Sequence, residues 1–400
     1  METTYLYPEK PKPIYPLRNH VFEHLGEVDF TNLIHRYYDG EKVTHLLKEY
    51  DVKVSVNKFA SCLPYFTSQH MCPYCVELAF SVGSKSEKDG NIYVKMIREC
   101  YQCGHKIDPK NPNLKCDCAE CQNYFEDILN NDISTSIEHA KSNAEYEATS
   151  EYTKLMIAAL LRSGQSEHDL ELIKPVFLEQ KNKLSPTPDM SIKIISTLKR
   201  SNWIRFGEDS KESCFTIEDG EITRYVPLKT TYRLNLVDDF GGVTALTNPD
   251  LSNTHPVIMY DQWLEIAQAE CFEYLVYHLH EYNLPDDIGP KTKAVIYEGL
   301  KRFSVSQMFN FIWRAAKNAA AYYQKDRVTK QHALNSIPGS MQRDMDRAVA
   351  EGWDVKGYSR NYNLPRSIYA GMFYDLVLKM GDKAIDMVIP VEAFAMHEKG

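Results

Sequence analysis

Cys72-Pro-Tyr-Cys75, Cys100-Tyr-Gln-Cys103-Gly-His105 and Cys116-Asp-Cys118-Ala-Glu-Cys121 hold seven of the ten cysteines of this 400-residue chain within fifty positions. A Cys-x2-Cys pair on a tight turn aims both sulfurs at one ion, at bond lengths of about 2.3 Å. Two such pairs flanking a strand-like insert close a tetrahedral shell. The spacing therefore assigns a primary Zn²⁺ site to Cys72, Cys75, Cys100 and Cys103. Cys116, Cys118 and Cys121 are one donor short of a second site. His105 is the nearest candidate for the missing donor, with His70 and Cys62 as alternatives. Sharing also remains open, with Cys118 and Cys121 displacing one member of the first set. A closed four-thiolate shell leaves no open coordination position, so this zinc is expected to be structural rather than hydrolytic.

Length sets a frame of two to four domains. Hydrophobic content of 43% and charged content of 25% are those of an ordinary globular protein. Residues 1–16 carry Glu2, Glu9 and four prolines and no apolar core, so no secretory signal is expected. The longest apolar run, Leu155 to Leu161, is too short to span a bilayer. Clustered cysteines without an export signal read as metal ligands in a reducing compartment, which places the chain in a cytoplasm. The net charge of −9 is unevenly spread, with a local excess of seven positive charges over 291–360 and of eight negative charges over 119–171. Phosphate contacts depend on the face presented, not on the total.

The expected fold class is mainly α with small β parts, in several domains. Residues 1–28 form an extended proline-rich arm, and 29–66 a three-helix unit with Asp29 as its first cap. Residues 67–125 form the cysteine-rich unit, in which Val76–Val82 and Ile92–Ile97 are strands around an Asp89-Gly90 turn. Residues 126–240 begin with an acidic connector. They continue with a helix from Tyr152, a second capped by Ser166 with Leu170, Ile173 and Phe177 on one face, and a third after Ser185-Pro-Thr-Pro-Asp189. A strand at Trp203–Phe206 and a hairpin turning at Asp219-Gly220 follow. Gly241-Gly242 and the stretch from Thr247 to Pro256 mark the next boundary, and 241–400 form a helical, basic C-terminal domain.

Three local resemblances arise from these stretches. Tyr38-Asp-Gly-Glu-Lys-Val-Thr-His-Leu-Leu47 followed by Val54-Ser-Val-Asn-Lys-Phe59 resembles the helix-turn-helix of recombinases, transposases and many bacterial regulators, with a turn some two residues longer. The resemblance implies that Ser55, Asn57 and Lys58 face DNA, with Lys53 on phosphate. Knuckle, hairpin, knuckle over 71–122 resembles a zinc ribbon. Three helices followed by a hairpin over 151–236 resemble a winged helix, which would put Lys193, Lys199 and Arg200 on or beside the recognition helix. The hairpin tip, Glu218-Asp-Gly-Glu221, is acidic where a DNA-contacting wing carries Lys or Arg.

In the C-terminal domain, the helix from Val305 to about Asp326 reads as buried, with a basic edge that includes Arg314 and Lys317 as candidate phosphate contacts. The sequence lacks a phosphate loop, a Gly-x-Ser-x-Gly elbow and a His-Glu-x-x-His pair, so no constellation argues for an enzyme. His278 and His280 are two apart on a helix and point about 200° from each other. The acid pairs Asp238-Asp239, Asp286-Asp287 and Asp344-x-Asp346 keep a metal-dependent nuclease as a minor alternative. The functional expectation is a zinc-stabilised protein that binds nucleic acid, in the first place duplex DNA, as a regulator or accessory factor of a mobile element or defence locus. The competing expectation is a protein–protein adaptor with the same modules.

Overall fold

The computed structural model describes residues 20–63, 65–67, 72, 74, 79–88, 91–100, 102–107, 116–166, 168–175, 182–237, 243–251, 256–325 and 328–388. The arm before residue 20, His70, Cys75, the Asp89-Gly90 turn, Phe177, Asp238-Asp239 and Gly241-Gly242 lie outside them. The chain divides into two units, Met1–Ile128 and Leu129–Gly400. The described residues are mainly helical, with three small sheets.

In the first unit, apolar residues three and four apart build helix α1, Glu27–Tyr38, which precedes α2, Val43–Glu49, and α3, Val56–Cys62. Helix α1 starts two residues before the expected cap. Gly26 holds the capping position, and Asp29 lies with Glu27 in the first turn, where the helix dipole favours carboxylates. One core unites the three helices: Phe22, Phe30, Leu33, Ile34, Tyr37, Leu46, Val52, Phe59 and Leu63 are all buried together. The Phe59 ring meets Tyr37 at 5.0 Å and Phe22 at 5.9 Å, in edge-on geometries that aromatic quadrupoles favour. Arg36 fastens α1 to α2 from outside, with both Glu41 and Glu49 held at 2.6–2.8 Å by its guanidinium. Six residues separate α2 from α3, against the three or four of a compact helix-turn-helix. Val52 from this longer turn fills the core, and Asp51 takes the left-handed conformation that lets the chain double back.

A four-stranded antiparallel sheet follows, made of β1, Tyr65–Thr67, β2, Ala79–Lys88, β3, Asn91–Glu99, and β4, Lys106–Ile107, in sequence order. Strand β2 runs beyond the apolar stretch that announced it. Its pairing with β3 continues to Lys88↔Asn91 after a register shift between Val82 and Lys85. Ladder hydrogen bonds come from the backbone, so polar residues extend a hairpin that hydrophobic alternation alone would end earlier. Helix α4, Ala119–Glu138, begins in this unit and ends in the second.

In the second unit, α5, Asn143–Ala148, opens on a capping box between Ser142 and Glu145. Helix α6, Glu151–Gly164, is buried along every residue from Lys154 to Leu161, because α7, Pro188–Arg200, α8, Val243–Thr247, and α14, Ile368–Met372, surround it. The apolar run Leu155–Leu161 is thus a core helix, not one with a single apolar face. The helix expected after Ser166 is absent among the described residues. Asp169 bonds its own chain two residues on, through Glu171 N at 3.2 Å, a turn that competes with helix formation. Leu172–Ile173 form strand β5 instead. Strands β6, Ile204–Phe206, β7, Phe215–Glu218, β8, Glu221–Tyr225, and β9, Tyr232–Leu234, complete the unit's sheets. The order β5-β9-β6 makes one sheet, and β7-β8 a hairpin. At the hairpin tip Asp219 and Gly220 both have positive φ, 53° and 81°, as a two-residue type I′ turn requires. Thr187 caps α7 and Pro188 occupies its first turn.

Helices α9, Pro256–Glu281, α10, Pro290–Leu300, α11, Val305–Lys325, α12, Lys330–Asn335, and α13, Ile337–Glu351, build the rest, and α14 runs into a π-helical turn, Phe373–Val377. Helix α11 lies between α9 and α13 and buries Met308, Phe309, Phe311, Ile312, Ala315, Ala316 and Ala319. Tyr274 stacks on Phe309 at 4.3 Å. The segment Gly352–Tyr362 has no regular structure but is fixed. Gln307 and Asn310 donate to the Val355 and Lys356 carbonyls, and the Tyr358 amide donates to the Ser306 carbonyl. Arg360 then reaches the fully buried Glu270 at 2.6 Å, whose other oxygen accepts from Tyr374 at 2.8 Å.

Two outcomes follow from these ion pairs. Arg360→Ala strands a buried carboxylate and should destabilise the second unit by about 3–5 kcal/mol in a denaturant titration, with much of the loss restored by adding Glu270→Gln. Arg36 and His45 hold the Glu41 carboxyl at about 2, below its ordinary 4.5. A depressed carboxylate stabilises the fold above its unfolded value and stops doing so as pH falls through the folded one. The α1–α2 pairing should therefore weaken between pH 4.5 and 2, by amide exchange, and Glu41→Gln should flatten that dependence.

Candidate metal centre

The chain turns back on itself between β3 and β4, where the Gly104 amide donates to the Cys100 carbonyl at 2.9 Å and the Cys100 amide to the His105 carbonyl at 2.8 Å. Gly104 has φ +70°, a conformation other residues reach only under strain. It separates Cys103 from His105 by a single residue, and the two side chains enter different clusters. Cys72, Cys100 and Cys103 form one, and His105, Cys116, Cys118 and Cys121 the other, the donor atoms in each lying within 4.8 Å of one another. Cys75, the expected fourth donor of the first cluster, lies outside the described residues. His105 completes the second cluster as its spacing suggests. Cys62 is elsewhere, packed in the helical core beside Phe59 and Leu63, because its position on α3 turns it toward α1.

The distances suit a tetrahedral ion. Metal–sulfur bonds of about 2.3 Å around a tetrahedron put sulfurs about 3.8 Å apart, and Cys72 Sγ lies 3.7 Å from Cys103 Sγ. That is far beyond a disulfide bond, and the cysteines are free. His105 Nδ1 is 3.1 Å from Cys121 Sγ and 3.9 Å from Cys118 Sγ, bracketing the edge of about 3.6 Å expected between sulfur and imidazole nitrogen. The Lys106 amide donates to Cys116 Sγ at 3.1 Å, a bond that favours the thiolate. These clusters can hold metal ions.

Electrostatics point the same way. Burial pushes the Cys121 thiol up to about 12 and raises Cys118, while it lowers the His105 imidazole. Burial also works to raise Cys100, but amide groups of Cys103 and Gln102 aimed at its sulfur carry it below its ordinary value. A neutral imidazole is the form that ligates, and a cation among crowded thiols displaces their protons. Tyr74 stands edge-on to the His105 ring at 5.2 Å, with its hydroxyl 3.7 Å from Cys121 Sγ. Sequence reading passed over it, although its place inside Cys72-Pro-Tyr-Cys75 was the available signal. Cys103, Cys118 and Glu120 also lie within 4.8 Å of one another, so the two clusters adjoin.

The residues expected to face nucleic acid divide by unit. Lys53, Ser55, Asn57 and Lys58 are all exposed. Lys193 pairs with Glu265 at 2.5 Å, and Lys199 reaches Asp132 at 3.4 Å while covering the Phe206 ring at 4.3 Å. Arg200 is exposed at the end of α7. Arg314 pairs with Asp344 at 3.4 Å, and Lys317 lies over Trp313 at 4.9 Å. Of the acid pair Asp344-x-Asp346, Asp344 lies against Arg314 and Asp346 accepts from Gln342 at 2.8 Å. His278 is buried and His280 exposed beside Asp286, as their spacing requires. No family model, no curated protein and no solved structure matches the chain. Among the described residues no helix is long and apolar enough to cross a membrane.

Reduced, purified chain should carry tightly bound metal by elemental analysis, and Cys116→Ser should remove about one equivalent while leaving the other. A metal-free chain that keeps its native circular dichroism would contradict the assignment.

Proposed function

We propose that the chain is a zinc-stabilised protein that binds duplex DNA through its first unit, with α3 as the reading element. Three thiolates with an imidazole, and a second thiolate set, form the donor chemistry that selects Zn²⁺ over harder ions. The observation that carries the reading is the two-sided character of α3. Phe59 lies in the core, while Ser55, Val56, Asn57 and Lys58 point outward with Lys53 just before them. Val56 is 45% exposed, an apolar group placed where a thymine methyl could meet it. Asn is the side chain suited to adenine, and Lys to phosphate or guanine. The six-residue turn departs from the compact motif, and Val52 compensates by anchoring it.

A second reading applies to the other unit. Lys193, Lys199 and Arg314 are spent on internal ion pairs, and the hairpin tip displays Glu218, Asp219 and Glu221. The acidic tip repels phosphate, so the hairpin suits contacts with protein.

Fluorescence anisotropy of the full chain against a random duplex of about 30 base pairs, at 50–200 mM salt, tests the proposal. Binding should weaken steeply with salt, by about 0.9 in the logarithmic slope per phosphate contact. Lys58→Ala should lower that slope by about one, and Asn57→Ala should weaken the preferred sequence by about 1–3 kcal/mol without changing the slope. Absence of duplex binding at 50 mM salt, or binding indifferent to both substitutions, would leave the adaptor reading for the whole chain.

A further inference from the structure

We infer that the two metal clusters are energetically coupled, each ion raising the affinity of the other, through the single turn Cys100–Lys106. Four observations meet in this turn. Cys100 and Cys103 supply two donors to the first cluster, and His105 supplies one to the second. The Lys106 amide, the next group along, donates to the second cluster's Cys116 at 3.1 Å. The Gly104 carbonyl faces the same sulfur at 3.8 Å. Two backbone hydrogen bonds, Gly104 N to Cys100 O and Cys100 N to His105 O, close the turn on itself. An ion held by Cys72, Cys100 and Cys103 therefore fixes the backbone that presents His105 and the Lys106 amide. The converse holds equally.

Ordering a flexible turn costs conformational entropy once. Whichever ion binds first meets that cost, and the second finds the turn already formed. Coupling of this kind is reciprocal by thermodynamic necessity, and typical magnitudes change affinity by about 5- to 150-fold. Each filled cluster carries net negative charge, and with Cys103 and Cys118 adjoining, that repulsion opposes the effect. In this proposal the ordering of the shared turn outweighs that repulsion.

The inference rests on the metal reading above, and the test separates the two. Full-length reduced chain, stripped by a chelator, is titrated with Zn²⁺ in competition with a chromophoric chelator, and with Co²⁺ as a spectroscopic probe of thiolate ligation. The wild-type chain should take up two ions. The double substitution Cys72→Ser/Cys103→Ser touches no donor of the second cluster, yet should weaken Zn²⁺ binding there about tenfold. Gly104→Ala keeps every donor, and a Cβ there meets nothing within 4 Å, so it strains only the turn. It should weaken both sites together. Should the double variant unfold, the single substitution Cys72→Ser, which lies outside the turn and touches no donor of the second cluster, takes its place. A chain that binds no ion sinks both readings. A wild-type chain that binds two ions, with a second-cluster affinity unchanged by removal of the first-cluster donors, would overturn the coupling and leave the metal assignment standing.

Discussion

Crowded sulfurs are a poor way to hold a protein together unless something positive sits among them. As thiols they make weak hydrogen bonds, and as thiolates they repel. Around residues 100–121 the chain nonetheless gathers donors into two sets whose spacings are those of tetrahedral edges. The sheet β1–β4 is thin, and its described buried cluster consists of cysteines, Cys72 and Cys100 with Cys103 against them. Coordination at such a cluster would supply free energy on the scale of folding itself.

The second unit solves the same problem by the opposite route. Its centre is α6, buried from Lys154 to Leu161 among α7, α8 and α14, while α11 sets Ala315, Ala316 and Ala319 beside its aromatics against α9 and α13. Three polar groups in this interior are tied to named partners. Glu270 accepts from both Arg360 and Tyr374, Glu273 pairs with Lys183, and Asn235 donates to the carbonyls of Ser136 and Asn202. Each fixes a stretch that hydrophobicity alone would leave undetermined. Arg360 fixes the irregular segment after α13, and Asn235 fixes the end of β9.

Spacing made the two cysteine clusters legible, because donors that could share one ion lie at short, local distances that a sequence displays directly. Periodicity located the first three helices, α7 and α11, and the Asp219-Gly220 pair located the hairpin. The misreadings share a cause. Asp29 looked like a cap because Gly26 carries no side chain to advertise one. The stretch from Ser166 to Ile173 shows helical spacing, but Asp169 turns the backbone and β9 offers Ile173 a ladder partner some sixty residues away. Such a partner is invisible to any local window. Cys62 seemed available to a metal because its helix face could not be known before α1 was packed against it.

Charge was the least legible quantity, and the reason is general. A lysine reads the same in a sequence whether it points at water or at a carboxylate sixty positions away. Lys193, Lys199 and Arg314 have partners on other helices, and contact with phosphate would require breaking those pairs first. The outward side of α3 has no such debt, since Ser55 makes no capping hydrogen bond and Val56 has no apolar cover sufficient to bury it. An exposed valine between two polar residues gains nothing from water, and it gains by meeting a flat apolar edge such as a thymine methyl. What marks the outward side of α3 is less its charge than the groups that folding has left exposed.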